Sequence, residues 1–349
     1  MTRDQCGYEG TGKCLASRVA RQGRLPVGLF ALALLGVWLT VSQPSCSTSR
    51  PSAAHVAPDR LREHVVFLSE TCHPRDWSQP VNLDRAAAYI AGVFRETGGE
   101  VAEQPFEVHG RTYRNVCVRF GPVDGPRVIV GAHYDACQGT PGADDNASGV
   151  AGLLELAGLL GRNPPAGTVE LVAYTLEEPP FFRTSYMGSA RHAGALAEAG
   201  IPVRAMIGLE MIGFFSDEAG SQSFPIPLLR LFYPGRGNFI GVVGNLSQRR
   251  LVRQIKIVMK GATDLPVHSL NAPAFVPGVD WSDHRCYWAY GFDAAMITDT
   301  AFLRNRAYHT TDDTADRLDY QRMAKVVIGV FEAVRWLAER SGNDVKGVK

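Results

Sequence analysis

The sequence is short of the features that mark a specialised chain. Only seven of its 349 residues are cysteine, and no Cys-x-x-Cys pair occurs, which argues against a structural zinc knuckle. Neither charge is in excess: 36 Lys and Arg stand against 35 Asp and Glu, a formal net of +1. Affinity for nucleic acid through counterion release needs a basic surplus, so DNA and RNA are set aside as partners. Internal repeats are absent. The composition, 45% hydrophobic, 20% charged and 9% aromatic, is that of a globular protein and excludes disorder, collagen and coiled coil. The length suits one large domain or two ordinary ones.

The charge is unevenly placed. Residues 1–50 hold six basic and two acidic residues, leaving 30 basic against 33 acidic in the remainder. A basic head, residues 1–24, precedes the uncharged run LPVGLFALALLGVWLTV at 25–41. The run shows no polar face, which separates it from a core helix. It is expected to be a signal peptide or membrane anchor, with the head cytoplasmic and the body exported to the periplasmic or extracellular side. Residues 42–58 are rich in Ser, Pro and Ala and read as a linker. Cys46 loosely resembles a lipidation site within it. A catalytic domain then spans 59–340, followed by a short tail, 341–349.

Helical and strand patterns alternate along that domain. Asn82–Phe94, Ser148–Leu160, Leu246–Gly261 and Tyr320–Glu339 have helical period. Arg114–Phe120, Arg127–Ala132, Val169–Thr175, Ala205–Leu209 and Ala294–Thr298 read as strands. The fold expected is α/β, a three-layer αβα sandwich around a mostly parallel, mixed sheet. Ser216 to Asn238 is rich in Pro and Gly without periodicity, and a loop of that length in a compact domain is expected to be functional.

Histidines and acids collect where strands end. RVIVGA runs into His133-Tyr134-Asp135, and Asp144 follows in PGADDNASG before a helix. VELVAYTL ends in Glu177-Glu178, AMIGL ends in Glu210, and Tyr308-His309 follows AAMIT after a short loop. Taken singly, each is an ordinary cap or turn residue, and Asp144 or Asp145 would serve to cap the helix at Ser148. Together, His133, Asp144, Glu178, Glu210 and His309 would meet at the carboxyl edge of the sheet, where open α/β sheets bind ligands. Inward-facing carboxylates repel unless a cation neutralises them. Two imidazoles with several carboxylates suit Zn²⁺, and the excess of carboxylates suits two ions sharing a bridge.

The segments AHYD, PGADDNASGVAGLLELA, TLEE, LEMIG and YHTTDDTADRLDY resemble the co-catalytic zinc aminopeptidase family, which includes the glutaminyl-peptide cyclotransferases. The resemblance covers about residues 60–340 and keeps the motif order. It implies that His133 and Glu210 hold one zinc, that Glu178 and His309 hold the other, and that Asp144 bridges them. It places Glu177 at the general base and Asp135 where it orients His133. Tyr308 falls where some members polarise the scissile carbonyl, and Asp145 where the family often has a cis peptide after the bridging aspartate. Glu210 stands where many members use Asp. The activity implied is hydrolysis of N-terminal residues from peptides with a free amine, through a hydroxide bridging two zinc ions. Asp283 and Asp299 are secondary candidates for binding that amine, each more simply a cap. A cyclotransferase with one zinc is the alternative within the family, and a non-catalytic binding ectodomain the alternative outside it. In an exported protein, Cys72 and Cys137 are candidates for a disulfide that pins the metal loop, and Cys117 reads as a core thiol.

Overall fold

A computed structural model describes residues 27–46 and 50–339. The chain divides into two compact units, Met1–Val37 and Trp38–Lys349. The basic head and the 341–349 tail lie outside the described residues. Helix α1 covers Val27–Val41. Its 15 residues span roughly 22 Å at ~1.5 Å each, less than the ~30 Å of a bilayer core. No helix among the described residues is long and apolar enough to cross a membrane.

The second unit is built from α2 (Pro58–Val66), α3 (Pro80–Glu96), β1 (Glu100–Val108), β2 (Arg111–Phe120), β3 (Arg127–His133), α4 (Gly149–Arg162), β4 (Val169–Tyr174), α5 (Gly188–Glu198), β5 (Val203–Glu210), β6 (Ile240–Gly244), α6 (Arg249–Ala262), β7 (Val267–Asn271), α7 (His284–Ala289), β8 (Ala294–Thr298) and α8 (Tyr320–Ala338). The eight strands form one sheet in the order β1-β2-β4-β3-β5-β8-β6-β7. Its centre, β4-β3-β5-β8, is parallel. Antiparallel pairing joins β1 to β2, β2 to β4 and β6 to β8, so the sheet is mixed.

Strand alternation explains the layers. On β3, Val128 and Val130 enter the core formed with α2, α4 and α8, while Ile129 enters a second core with α5 and Tyr287 of α7. All three are fully buried. Each contributes about 1.5–3 kcal/mol by the usual scale for aliphatic burial. A strand covered on both faces has no polar face to show, which is why RVIVGA reads as an unbroken apolar run. The parallel order brings the carboxyl ends of β3, β4, β5 and β8 to one edge. The chain leaves each of them with the residues singled out above.

Three strands escaped the sequence pattern. β1 is largely exposed and carries Pro105, as suits an edge strand, so its apolar signal is weak. β6 and β7 are five residues each.

The segment read as a linker is tied to the body where it is described. Lys256, 4% exposed on α6, donates to the carbonyl of Ser42 at 2.7 Å and also to that of Gln43. Ser269 Oγ donates to Ser42 O at 2.9 Å, and Ser52 N donates to Ala262 O at 3.0 Å. Val56 is buried in the main core. A buried ammonium needs acceptors, and an irregular Ser/Pro segment offers free carbonyls. Removal of residues 1–37 is therefore expected to leave the melting temperature of the body unchanged. Removal of 1–57 should lower it by several degrees, through loss of about 2 kcal/mol or more of burial and hydrogen bonding. Thermal unfolding of the two truncations checks this, and equal melting temperatures would contradict the anchoring role of 42–57.

Candidate active site

His133 ends β3, and its ring is fixed from behind. Its Nδ1 lies 3.1 Å from the carbonyl of Asp135 and 3.6 Å from Asp135 Oδ1. The Asp135 carboxylate also accepts the backbone N–H groups of Glu177 and Glu178, at 3.2 and 3.1 Å. One side chain therefore ties the exit of β3 to the exit of β4 and aims His133 Nε2 into the site.

The turn before α4 presents a different aspartate from the one expected. Asp145 Oδ1 lies 3.4 Å from His133 Nε2, and Asp145 Oδ2 lies 3.1 Å from His309 Nε2. Asp144 turns away: its Oδ1 accepts the N–H of Gly213 at 3.0 Å, and its Oδ2 accepts from Asn305 Nδ2 at 2.8 Å. The carboxylate between the two imidazoles is thus Asp145, and the assignment of Asp144 is corrected by one residue. The cis peptide likewise follows Asp145, joining it to Asn146. Adjacent acids leave a turn in different directions, and sequence does not say which points inward.

That turn is held on three sides. Asp313 accepts from the backbone N–H of both Asp144 and Asp145, at 2.9 and 3.0 Å. Asn146 donates to Leu209 O at 2.8 Å and accepts from Met211 N at 3.1 Å, locking the turn to the exit of β5. Gly142 has φ of 61°, and a Cβ there would stand 2.3 Å from the carbonyl oxygen of Asp145, so only glycine fits. Arg75, fully buried, donates to the carbonyls of Tyr134, Pro141 and Gly142. It closes the loop that a Cys72–Cys137 disulfide would have closed. Both cysteines are unbonded, Cys72 buried and Cys137 half-buried. Asn146 and Asp313 lie within the quoted motifs but had no role assigned to them, and no motif contains Arg75.

The remaining candidates converge. Glu210 Oε2 lies 3.4 Å from His133 Nε2 and accepts from Ser282 Oγ at 2.7 Å. Glu178 Oε2 lies 3.3 Å from His309 Nε2, and Glu177 Oε2 stands back at 3.9 Å from His133 Nε2. Tyr308 stacks on His309 with ring centroids 3.8 Å apart. Asp299 accepts from Phe214 N and Ala301 N at 2.8 and 2.9 Å, a capping role. Asp283 is buried beside His133 and Glu210.

The electrostatics ask for a cation. Burial raises the Glu177 and Glu210 carboxyls, the former well above the usual range, and pushes Glu178 up to about 7. Their mutual repulsion and the charge of Asp145 add to this. Burial alone would depress the His133 imidazole, yet Glu210, Glu177, Asp135 and Asp145 raise it well above its ordinary value. Burial also holds the Tyr308 phenol far above its usual range, so it keeps its proton and remains a donor. Glu178 Oε1 is buried with no hydrogen-bond partner. Such a set is stabilised by divalent ions more readily than by protons. His133, Asp145 and Glu210 form one group with ligand-type atoms within 4.8 Å of one another. His309, Glu178 and the second oxygen of Asp145 form its counterpart. The donor types suit zinc.

Comparison with known proteins gives the family. The profile of peptidase family M28 matches residues 115–334. The chain belongs to peptidase family M28. It is 48% identical to the uncharacterised protein YfbL of Escherichia coli K12 over 315 residues, covering 87% of this chain and 97% of that protein. It is 28% identical to leucine aminopeptidase 1 of Uncinocarpus reesii over 220 residues, covering 58% of this chain and half of the fungal protein. A glutaminyl cyclase of Bacteroides thetaiotaomicron shares the fold, with a TM-score of 0.62 and 18% identity over 81% of this chain and 99% of that one. The M28 fold alone therefore does not choose between hydrolysis and cyclisation.

Beside the M28 site opens an apolar cleft holding about 820 Å³ of space open to solvent. Phe224, Leu229 and Tyr233 of the 216–238 loop line it together with Phe239, Trp281 and Phe302, and it reaches Glu210 and Tyr308. The loop expected to be functional thus forms a wall of the cleft. Exchange of the two neighbouring aspartates separates their parts. Asp145→Asn is expected to reduce bound zinc per chain to at most half, and Asp144→Asn to leave it unchanged. Metal analysis after dialysis checks this, and the reverse pattern would restore Asp144 as the bridge.

Proposed function

We propose that this M28 peptidase is a dizinc aminopeptidase that removes residues, preferentially apolar ones, from the free N-terminus of peptides. The observation that carries this is the Asp145 carboxylate, with one oxygen 3.4 Å from His133 and the other 3.1 Å from His309. A carboxylate so placed could serve two ions, and each end already has a further acid, Glu210 or Glu178. In this reading one zinc would be held by His133, Asp145 and Glu210, and the other by His309, Asp145 and Glu178. Bound there, zinc supplies Lewis acidity that polarises the scissile carbonyl and lowers the pKa of water towards ~7.

The rest is the work of the side chains. Glu177, with its Oε2 3.9 Å from His133 Nε2 and assigned to neither ion, takes the proton of the attacking water. It then hands that proton on to the leaving amine. Tyr308, kept protonated, donates a hydrogen bond to the carbonyl oxygen. The aromatic cleft takes the N-terminal side chain, and its apolar lining favours large hydrophobic residues. Asp135 keeps His133 in the tautomer whose Nε2 is free for metal.

A cyclotransferase uses the substrate's own amine as nucleophile, so it needs neither an activated water nor the second metal. Two complete donor sets and an uncommitted Glu177 favour hydrolysis. Glu177→Gln is expected to keep both metals and to lower kcat 10²–10⁴-fold, as loss of a proton-transfer group does. Turnover on leucyl-anilide and pyroglutamate release from glutaminyl peptides, measured side by side, check both points. Pyroglutamate as main product, or a Glu177→Gln enzyme at full rate, would overturn the proposal.

The basic head and the apolar run at 25–41 support export of the body, with the run as signal or anchor. The chain lacking residues 1–37 should then remain in the cytoplasm, active.

A further inference from the structure

The loop from Tyr134 to Gly142 carries one reactive side chain that the proposed hydrolysis does not use, the thiol of Cys137. Cys137 is half-buried and unbonded. Its Sγ, a carboxylate oxygen of Glu178 and a ring nitrogen of His309 all lie within 4.8 Å of one another. Glu178 is 4% exposed, and its Oε1 has no hydrogen-bond partner, while its Oε2 faces His309. The backbone under the thiol is fixed. The carbonyl of Cys137 accepts from Thr140 N at 3.1 Å and from Thr140 Oγ1 at 2.8 Å. Ala136 N donates to Arg75 O at 3.2 Å, and the Arg75 guanidinium grips both ends of the loop.

We propose that Cys137 is a protein ligand of the ion held by Glu178 and His309, a donor beyond the five nitrogen and oxygen ligands. The inference rests on the dizinc reading of the site. Zinc bonds of ~2.3 Å to sulfur and ~2.0–2.1 Å to nitrogen or oxygen put tetrahedral ligand atoms roughly 3.5 Å apart. From within 4.8 Å, an approach of roughly 1 Å reaches that distance. On coordination the S–H bond breaks, the proton leaves to solvent, and the sulfur lone pair forms the metal bond. No oxidant or reductant is required.

The two metal positions then differ in kind. The one at His133 and Glu210 is all nitrogen and oxygen. The one at His309 gains a soft thiolate, which selects Zn²⁺ or Cd²⁺ over Mn²⁺ or Mg²⁺. The thiolate also adds negative charge at that end, so its ion is the weaker Lewis acid and the more firmly held.

The test uses the full chain, stripped of metal and reloaded with Co²⁺, as wild type and as Cys137→Ser. The wild type should show a thiolate-to-cobalt charge-transfer band in the near ultraviolet. Cys137→Ser should lose that band while keeping its fold and its weaker d–d absorption. Its Cd²⁺ affinity should fall about tenfold or more at one position only. A wild type without the band, or a band that persists in Cys137→Ser, overturns the inference. Cobalt counted per chain reports separately on the dizinc reading. Two ions without the band remove Cys137 alone. One ion with a Cys137-dependent band keeps Cys137 and removes the second metal, and no bound ion removes both.

Discussion

The carboxylate of Asp145, offering one oxygen to His133 and the other to His309, is the contact on which the rest of this site depends. It joins two strand exits that are otherwise separate, those of β3 and β8. Its position comes from its neighbours. Asp313 grips the backbone beneath it, Asn146 ties the turn to the exit of β5, and Gly142 admits the sharp entry. Buried side chains surround all three. An error of an ångström in the turn would leave one imidazole without its carboxylate, so a rigid frame is a condition of the chemistry.

Collecting so many acids in a buried place is unfavourable without positive charge. The chain answers this in two ways. Arg75, buried under the His133–Asp145 loop, meets backbone carbonyls and lies within electrostatic reach of Asp313, Asp145 and Asp135. Among the described residues the inward face carries no such cation, only two imidazoles against the four carboxylates of Asp145, Glu177, Glu178 and Glu210. That imbalance distinguishes a metal centre from a structural ion-pair network. The network of Arg127 and Glu170, in the same sheet, with His192 shows the contrast: burial would raise the Glu170 carboxyl, yet His192 first and then Arg127, 2.8 Å away, hold it down at about 2.

Much of this was legible in the residues, for physical reasons. A parallel strand buried on both faces leaves an apolar run, so β3, β4, β5 and β8 stood out, and with them their carboxyl ends. His133, Asp135, Glu177, Glu178, Glu210, Tyr308 and His309 all arrive at one edge because these four strands run parallel. The choice between Asp144 and Asp145 was not legible, since it depends on which carboxylate meets Gly213 and Asn305, residues more than sixty positions away. Arg75 was equally silent, because a lone arginine among loop residues gives no pattern. The edge strand β1 and the short β6 and β7 lacked the apolar contrast that period-two alternation needs. The tethering of 42–57 depends on a lysine of α6, far along the chain.

A crystal of the zinc-loaded protein, measured on both sides of the zinc absorption edge, addresses the bridge itself. Two anomalous peaks are expected about 3.5–4 Å apart. One should lie between His133 and Glu210, the other between His309 and Glu178, with Asp145 touching both. A single peak, or two peaks joined through Asp144 with Asp145 turned away, would contradict the structure of the site set out above.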